Sequence, residues 1–181
     1  MYLLLRQNSH EYWGFNSGLD FESKIVVKRN AAELLEREFL KKSWKPATIM
    51  LSGNTDCYQP LEKRYGSTRS LLELFLKYQN PVGIITKNAL IKRDIDILSK
   101  LAAKNLVHVA ISINSLNEDL RRVLEPRTSA YVQRLKTIEQ LTQAGIPVMA
   151  MLAPIILGLN HHEIPSIIQK VSEVGAVSAS Y

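Results

Sequence analysis

The sequence predicts an α/β protein in which a parallel sheet, covered by helices, forms a complete or partial barrel. Short, almost wholly apolar runs alternate with amphipathic helical stretches, and this βα unit repeats four or five times. No glycine-rich dinucleotide-binding fingerprint follows any of the runs, which argues against the dinucleotide-binding form of such sheets. The 181 residues, 46% of them hydrophobic, suffice for one domain with a substantial core.

The predicted strands are short apolar runs bounded by polar or turn-forming residues: 48–51, 82–86, 107–113, 148–152 and 176–180. Because every crossover contains a helical stretch, we expect these strands to be parallel neighbours in chain order, curved as part of a barrel. The predicted helices fill the intervals between them: 67–77, 94–103, 117–124, 130–143 and 162–174.

One more helix is predicted before the first of these strands. It opens at Asn30, an N-cap residue with Glu33 three positions further on, which is the pattern of a capping box. The spacing of its apolar residues predicts that the helix buries Leu34, Leu35 and Phe39.

Composition narrows the class of protein. The apolar runs are shorter than the roughly 18 residues of a membrane span, and the first residues lack the basic segment of a signal peptide. We therefore expect a cytoplasmic protein with no membrane partner.

A single cysteine, Cys57, excludes both a disulfide framework and a multi-thiolate metal site within one chain. The net charge of +6 permits a nucleic-acid partner, although the basic residues are spread along the chain as on a solvated surface.

Polar residues cluster at the points where the predicted strands end. In barrels of parallel strands, the active site is built from the loops at the carboxyl ends of the strands. We therefore expect the polar residues of these loops to converge on one face of the domain. The candidate site residues are Asn54, Thr55, Lys87, Ser112 and Asn114.

Each of these features has a second interpretation. Residues 52–60 could form a simple turn, because Gly, Asn, Asp and Pro favour turns. Lys87 could be a solvated lysine, or an amine activated by burial for Schiff-base chemistry. Arg127, directly after the proline that ends a helix, could bind an anion or be exposed.

The histidines are interpreted as structural residues. His161 and His162 have no third ligand at a useful spacing, so we expect only the start of a helix there. His108 lies within an apolar strand and is predicted to pack in the core. The sequence therefore predicts no metal site.

Several short segments follow one another along the chain in a recognisable order. They are Glu11-Tyr12-Trp13-Gly14, Gly18-Leu19-Asp20-Phe21-Glu22, Lys24-Ile25-Val26-Val27-Lys28, Asn54-Thr55-Asp56, Thr86-Lys87, Leu124-Glu125-Pro126-Arg127 and Ala153-Pro154-Ile155. In this order, and at these strand ends, they resemble the radical S-adenosylmethionine proteins related to spore photoproduct lyase. The similarity runs from about Ser9 to Tyr181, which is nearly the whole chain.

The resemblance implies a partial (β/α)6 TIM-like barrel, here a single core domain over residues 1–181 that lacks its first strand and is incomplete at both ends. It also implies a lyase-like enzyme in which three cysteines of a C-x3-C-x2-C loop hold a 4Fe-4S cluster. S-adenosylmethionine bound to that cluster is cleaved reductively to a 5′-deoxyadenosyl radical. By the same resemblance, Asn54, Thr55, Lys87 and Ser112 would contact S-adenosylmethionine, with Lys87 at its carboxylate; Asn114 lies beside them.

The chain departs from this family at the cluster. The cysteine loop should lie just before Asn8, where residues 1–7 contain no thiol, and Cys57 follows a different strand. Because iron–sulfur clusters need thiolate ligands, we expect the chain alone to be catalytically inactive. Residues 1–5 are what a shifted reading frame of a plausible coding sequence for the cysteine loop would encode. We therefore interpret this start as a frameshifted copy of the loop.

Three functional interpretations stay open. The first is a fragment or decayed copy of a radical enzyme. The second is a non-catalytic barrel module that binds a nucleic acid or a partner protein. The third is an unrelated barrel lyase that uses Lys87, such as an aldolase. The missing cysteines favour the first two, and the third depends on one lysine.

Overall fold

The computed structural model describes residues 14–15, 24–53 and 55–181. In this part of the chain, five parallel strands form one sheet in chain order: β1 (Ile49–Leu51), β2 (Val82–Thr86), β3 (Val107–Ser112), β4 (Val148–Met151) and β5 (Ser178–Ser180). The prediction of parallel neighbours in chain order is confirmed. The sheet is open, since β1 pairs only with β2 and β5 only with β4 among the described strands.

Helices connect the strands, as the alternating pattern predicts. They are α1 (Ala31–Phe39), α2 (Glu62–Tyr65), α3 (Ser67–Tyr78), α4 (Ile95–Ala102), α5 (Glu118–Leu124), α6 (Tyr131–Gln143) and α7 (Ile164–Glu173). Short 3-10 helices at Ala89–Asp94 and His161–Glu163 lead into α4 and α7. The resulting order of strands and helices is that of a partial α/β barrel.

The predicted strands 107–113 and 148–152 each run one residue beyond the observed strand, for a physical reason. The Ile113 amide still donates to the Met151 carbonyl at 2.8 Å, and the Leu152 amide donates to the Ser180 carbonyl at 2.7 Å. Hydrogen bonding therefore continues where the regular ladder ends. The segment 176–180 begins its regular strand only at Ser178.

The first helix differs in two ways from its prediction. Asn30 is the N-cap residue of α1, but its side chain forms no capping hydrogen bond, and Glu33 pairs instead with Arg37 at 2.5 Å. Phe39 is buried and Leu35 packs against the core, whereas Leu34 is 49% exposed. The prediction for Leu34 is wrong because α1 meets the domain along a narrow stripe.

The core lies between the sheet and the helices. Alternate strand residues face the helices, because successive side chains point to opposite faces of a strand. Register places these residues side by side on β2, β3 and β4: Val82, Ile84, Val107, Val109, Ile111, Val148 and Ala150. They pack with apolar residues of α3, α4, α6 and α7, among them Phe75, Leu98, Ile138 and Ile167.

The opposite face of the sheet is only partly covered. Met50 pairs in register with Gly83, and Gly83 with His108. A Cβ atom added at Gly83 would overlap the Met50 sulfur, so the Met50 side chain lies over this glycine. His108 is exposed on the same face. The prediction that His108 packs in the core is therefore wrong: this face of the described sheet is open to solvent at His108, although Ala110 and Ser112 further along it are buried.

Among the described residues, none of the helices is long and apolar enough to cross a membrane. The cytoplasmic location stays a prediction.

Candidate functional site

The carboxyl ends of β2 and β3 bring two of the candidate residues next to each other. Thr86 pairs in register with Ile111, so Lys87 and Ser112 follow at adjacent positions on neighbouring strands. Both continue the face that carries Ile85 and Ala110 rather than the face toward the helices. The sheet thus places Lys87 and Ser112 on one side of one edge.

A buried carboxylate connects the residues at this edge of the sheet. Glu125 forms an ion pair with the Lys87 ammonium at 2.6 Å and another with the Arg134 guanidinium at 2.8 Å. The Asn114 amide donates to the same carboxylate at 3.3 Å. Arg134 also donates to the Ser112 carbonyl at 2.8 Å. Lys87, Ser112 and Asn114 therefore belong to one connected group, which we call the Glu125 cluster together with Glu125 and Arg134.

The two charged partners keep Glu125 ionised. Burial alone would raise the pKa of this carboxyl, because a charged form is disfavoured away from water. The charges of Lys87 and Arg134, and the hydrogen bonds they donate, lower it by more, so the pKa of Glu125 lies below its ordinary value. The carboxylate therefore stays negative at neutral pH.

This lowered pKa predicts an acid-sensitive contribution to stability. The contribution is complete above the ordinary value of 4.5 and is lost as the pH falls through the folded-state value. The difference in unfolding free energy between wild type and Glu125→Gln should therefore shrink between about pH 7 and about pH 3. Urea unfolding at a series of pH values measures it. A difference that stays constant over this range would show that folding does not lower the pKa of Glu125.

A second carboxylate ties the loop after β1 to the end of β2. Asp56 accepts hydrogen bonds from the Thr86 hydroxyl at 2.7 Å and from the Lys87 amide at 2.8 Å. It also accepts from the Tyr58 amide in its own loop at 2.9 Å. Residues 52–60 are therefore a loop anchored to the next strand, in addition to containing turns.

A buried amide makes the corresponding connection between the loops after β3 and β4. The Asn160 side chain, 2% exposed, donates to the carbonyls of Asn114 at 2.8 Å and Pro154 at 3.0 Å. The Glu163 carboxylate accepts from the Ser115 hydroxyl at 2.7 Å and the Leu116 amide at 2.6 Å. Successive strand-end loops are thus fastened to one another before any ligand is present, which is the preorganisation that a binding site requires.

The candidate residues differ in how far they take part in this arrangement. Asn54 lies outside the described residues, and Thr55 is exposed in the loop after β1. Ser112 is buried and contributes its carbonyl, while Lys87 and Asn114 contribute side chains. The contact of any of them with S-adenosylmethionine stays a prediction. Sequence reasoning missed the positioning role of Asp56, Glu125, Arg134 and Asn160.

The other interpretations of single residues can be judged from their surroundings. Lys87 is one-third exposed and paired with a carboxylate. It is not enclosed by apolar side chains, the setting that activates a lysine for Schiff-base chemistry. The Arg127 side chain is exposed. His161 accepts a hydrogen bond from the Gly158 amide at 3.0 Å, as expected of a loop residue at a helix start.

The side chains present do not fit a 4Fe-4S cluster. Such a cluster needs several thiolates, and the sequence has one cysteine. Burial raises the pKa of Cys57 to about 12, so this thiol is protonated at neutral pH. In the described part of the chain, no three His, Cys, Asp or Glu side chains are grouped so as to hold a metal ion.

The fold and the site define an α/β partial barrel with a preorganised polar mouth at the carboxyl ends of its strands. The sequence pattern of the radical SAM superfamily matches residues 17–171. The chain belongs to this superfamily.

Relatives of the chain include bacterial and archaeal proteins. An uncharacterized protein of Mycobacterium tuberculosis is 34% identical over 148 residues, which are 82% of this chain and 44% of the relative. One of Methanocaldococcus jannaschii is 30% identical over 134 residues, 74% of this chain and 48% of the relative. The subtilosin biosynthesis protein AlbA of Bacillus subtilis is 27% identical over 115 residues, 64% of this chain and 25% of AlbA. The chain thus spans less than half the length of these curated relatives.

Solved structures show the same fold. Spore photoproduct lyase in complex with dinucleoside spore photoproduct superposes with a TM-score of 0.64 at 16% identity, covering 84% of this chain and 44% of the lyase. A double mutant of the lyase with bound AdoMet and dinucleoside spore photoproduct gives a TM-score of 0.65 at 15% identity, with the same coverage. At this level of identity the likeness concerns the fold.

Proposed function

We propose that this chain is a radical SAM core that binds S-adenosylmethionine at the carboxyl ends of its strands but does not itself hold the 4Fe-4S cluster. The proposal depends on one observation above all. The Lys87 ammonium stands at the mouth of the partial barrel and is held there by the buried Glu125. A fixed ammonium that is partly exposed suits the carboxylate of an amino-acid ligand.

Two comparisons support this proposal. The chain belongs to the radical SAM superfamily over most of its length, and a lyase structure of the same fold was solved with bound AdoMet. In such proteins S-adenosylmethionine supplies the radical chemistry, and the protein binds it and excludes water. The part assigned to this chain is binding and orientation, through the residues at the ends of β1, β2 and β3.

The proposal has a direct test with the purified full chain. We expect isothermal titration calorimetry to show one S-adenosylmethionine bound per chain. After incubation with iron and sulfide, we expect neither the broad visible absorption of an iron–sulfur cluster nor 5′-deoxyadenosine under a reductant, because thiolate ligands are lacking. Adenosine, which has no carboxylate, serves as the control ligand and should bind more weakly.

The two halves of the proposal fail separately. Equal or absent binding of S-adenosylmethionine and adenosine would overturn the assigned binding site. Stoichiometric 5′-deoxyadenosine would overturn the statement that the chain lacks its own cluster.

Nucleic-acid binding is the second candidate function. It is favoured by the net charge of +6 and by the dinucleoside ligand present in a lyase of the same fold. Fluorescence anisotropy with a labelled single-stranded oligonucleotide at two salt concentrations tests it, since such binding weakens steeply with salt.

A further inference from the structure

We propose that Glu125 and Arg134 are positioning residues that, together with Lys87, form a group of one net positive charge at the mouth of the barrel, and that the Lys87 ammonium of this group selects a ligand with a single carboxylate. The inference rests on the proposed binding of S-adenosylmethionine and deepens it. It concerns residues that act through Lys87 and do not themselves touch the ligand.

Arg134 is buried, and its guanidinium forms hydrogen bonds with other groups of the protein. Its side chain is 3% exposed. Its guanidinium donates to the Ser129 carbonyl at 2.7 Å, the Ser112 carbonyl at 2.8 Å and the Thr128 hydroxyl at 2.5 Å, besides Glu125. These contacts use four of the five N–H donors of the guanidinium, and its burial keeps it from a ligand at the mouth. Its charge therefore serves to balance Glu125.

The Glu125 cluster has a net positive charge, and Lys87 is its exposed cation. The cluster holds two cations, Lys87 and Arg134, and one anion, Glu125. Lys87 is the exposed member of the three, with 33% of its side chain accessible against 8% for Glu125. An ammonium has three donors, so pairing with Glu125 orients the group without saturating it. A ligand carboxylate would then meet the fixed ammonium of a group in which Lys87, Arg134 and Glu125 together carry one net positive charge.

Glu125 has a second function in this arrangement. It brings Lys87, from the end of β2, within reach of Asn114, from the end of β3, since both contact its Oε1 atom. Asp56 lies on the other side of Lys87 and binds its backbone amide. Because Asp56 is unchanged in all the variants below, the comparison between them isolates the charge of the Glu125 cluster.

The test compares two ligands that differ in one carboxylate: S-adenosylmethionine and decarboxylated S-adenosylmethionine. The measured quantity is the discrimination ratio, the Kd of the decarboxylated ligand divided by the Kd of S-adenosylmethionine. In wild type we expect a ratio above about 10, because only S-adenosylmethionine can pair its carboxylate with the Lys87 ammonium. Such a close pair near a protein surface is governed by an effective dielectric constant near 20, which makes it worth that much in affinity. Lys87→Met should bring the ratio close to one.

Charge variants then separate the proposal from a purely structural role. Arg134→Gln makes the cluster neutral and should lower the ratio about tenfold. Glu125→Gln keeps an acceptor oxygen but raises the net charge, so the ratio should be at least that of wild type. The double variant has the wild-type net charge and should return the ratio to within about threefold of wild type. Circular dichroism confirms that each variant is folded.

The outcomes are distinct. If Arg134 and Glu125 only support the fold, their replacement weakens both ligands alike and leaves the ratio unchanged, which would overturn the inference even if wild type binds. If wild type binds neither nucleoside, the proposed function fails. The inference is then decided with acetate as the probe, through the backbone amide resonances of Lys87 and Asn114. Shifts in wild type that disappear in Lys87→Met and Arg134→Gln support it, and an absence of shifts in wild type overturns it.

Discussion

Replacing Asp94 by alanine should lower the free energy of unfolding by about 3–5 kcal/mol, because it removes one side of a buried ion-pair network. Asp94 is fully buried. Its carboxylate accepts from the Tyr58 hydroxyl at 3.1 Å, from Arg69 at 3.0 Å and from Arg93 at 2.8 Å. Alanine would leave the buried Tyr58 hydroxyl without its acceptor and two guanidiniums without a shared counter-ion.

The chain offers a matched control two residues away. Asp96 binds the same Arg69, at 2.8 Å, but 55% of its side chain is exposed. Ion pairs of this kind contribute little because water and salt already solvate both charges, so Asp96→Ala should cost far less than Asp94→Ala. Urea unfolding followed by tryptophan fluorescence measures both. Similar losses for the two variants would show that burial of the network does not matter.

The fold was predictable because its signal is local and repeated. Each of β2, β3 and β4 is a short apolar run, and helical stretches fill the intervals between them, so the alternation predicts parallel strands in chain order. The start of the helix predicted over 117–124 was equally local: the Asn117 side chain accepts from the amides of Asp119 and Leu120, as an N-cap residue does.

Predictions of burial were wrong where the exposure of a residue depends on which other parts of the chain pack over its strand or helix. His108 lies in an apolar strand, and a parallel sheet is ordinarily covered on both faces. Its exposure reflects the partial covering of the second face of the described sheet, which no local pattern reveals. The predicted burial of Leu34 was wrong for a related reason: the apolar stripe of α1 is wider than the contact of this helix with the domain.

The candidate site was predictable only in part. Lys87, Ser112 and Asn114 follow apolar strands directly, and this position alone marks them. Arg134 carries no such mark, because it lies within an amphipathic helix where an arginine is ordinarily solvated. It is buried because α6 crosses the end of β3, where the Ser112 carbonyl and Glu125 accept its hydrogen bonds. Such long-range pairing is set by tertiary packing and has no counterpart in spacing along the chain.

The two faces of the sheet can be compared directly at adjacent isoleucines. Ile84 is fully buried against the helices, and Ile85 is half-buried on the opposite face beside Ala110. Truncating a buried isoleucine to alanine removes its transfer free energy and leaves a cavity. Ile84→Ala should therefore lower the free energy of unfolding by about 2–5 kcal/mol. Ile85→Ala should cost less than half as much, because water already reaches part of this side chain.

Urea unfolding of both variants at two protein concentrations decides this prediction and also reports on the second face. A larger loss for Ile84→Ala at both concentrations supports a sheet whose core lies on the helix side alone. An equal loss for Ile85→Ala would contradict it. If that equal loss also grew with protein concentration, a second copy of the chain would be covering Ile85, His108 and Met50 in solution. An equal loss independent of concentration would mean that the chain itself closes over this face.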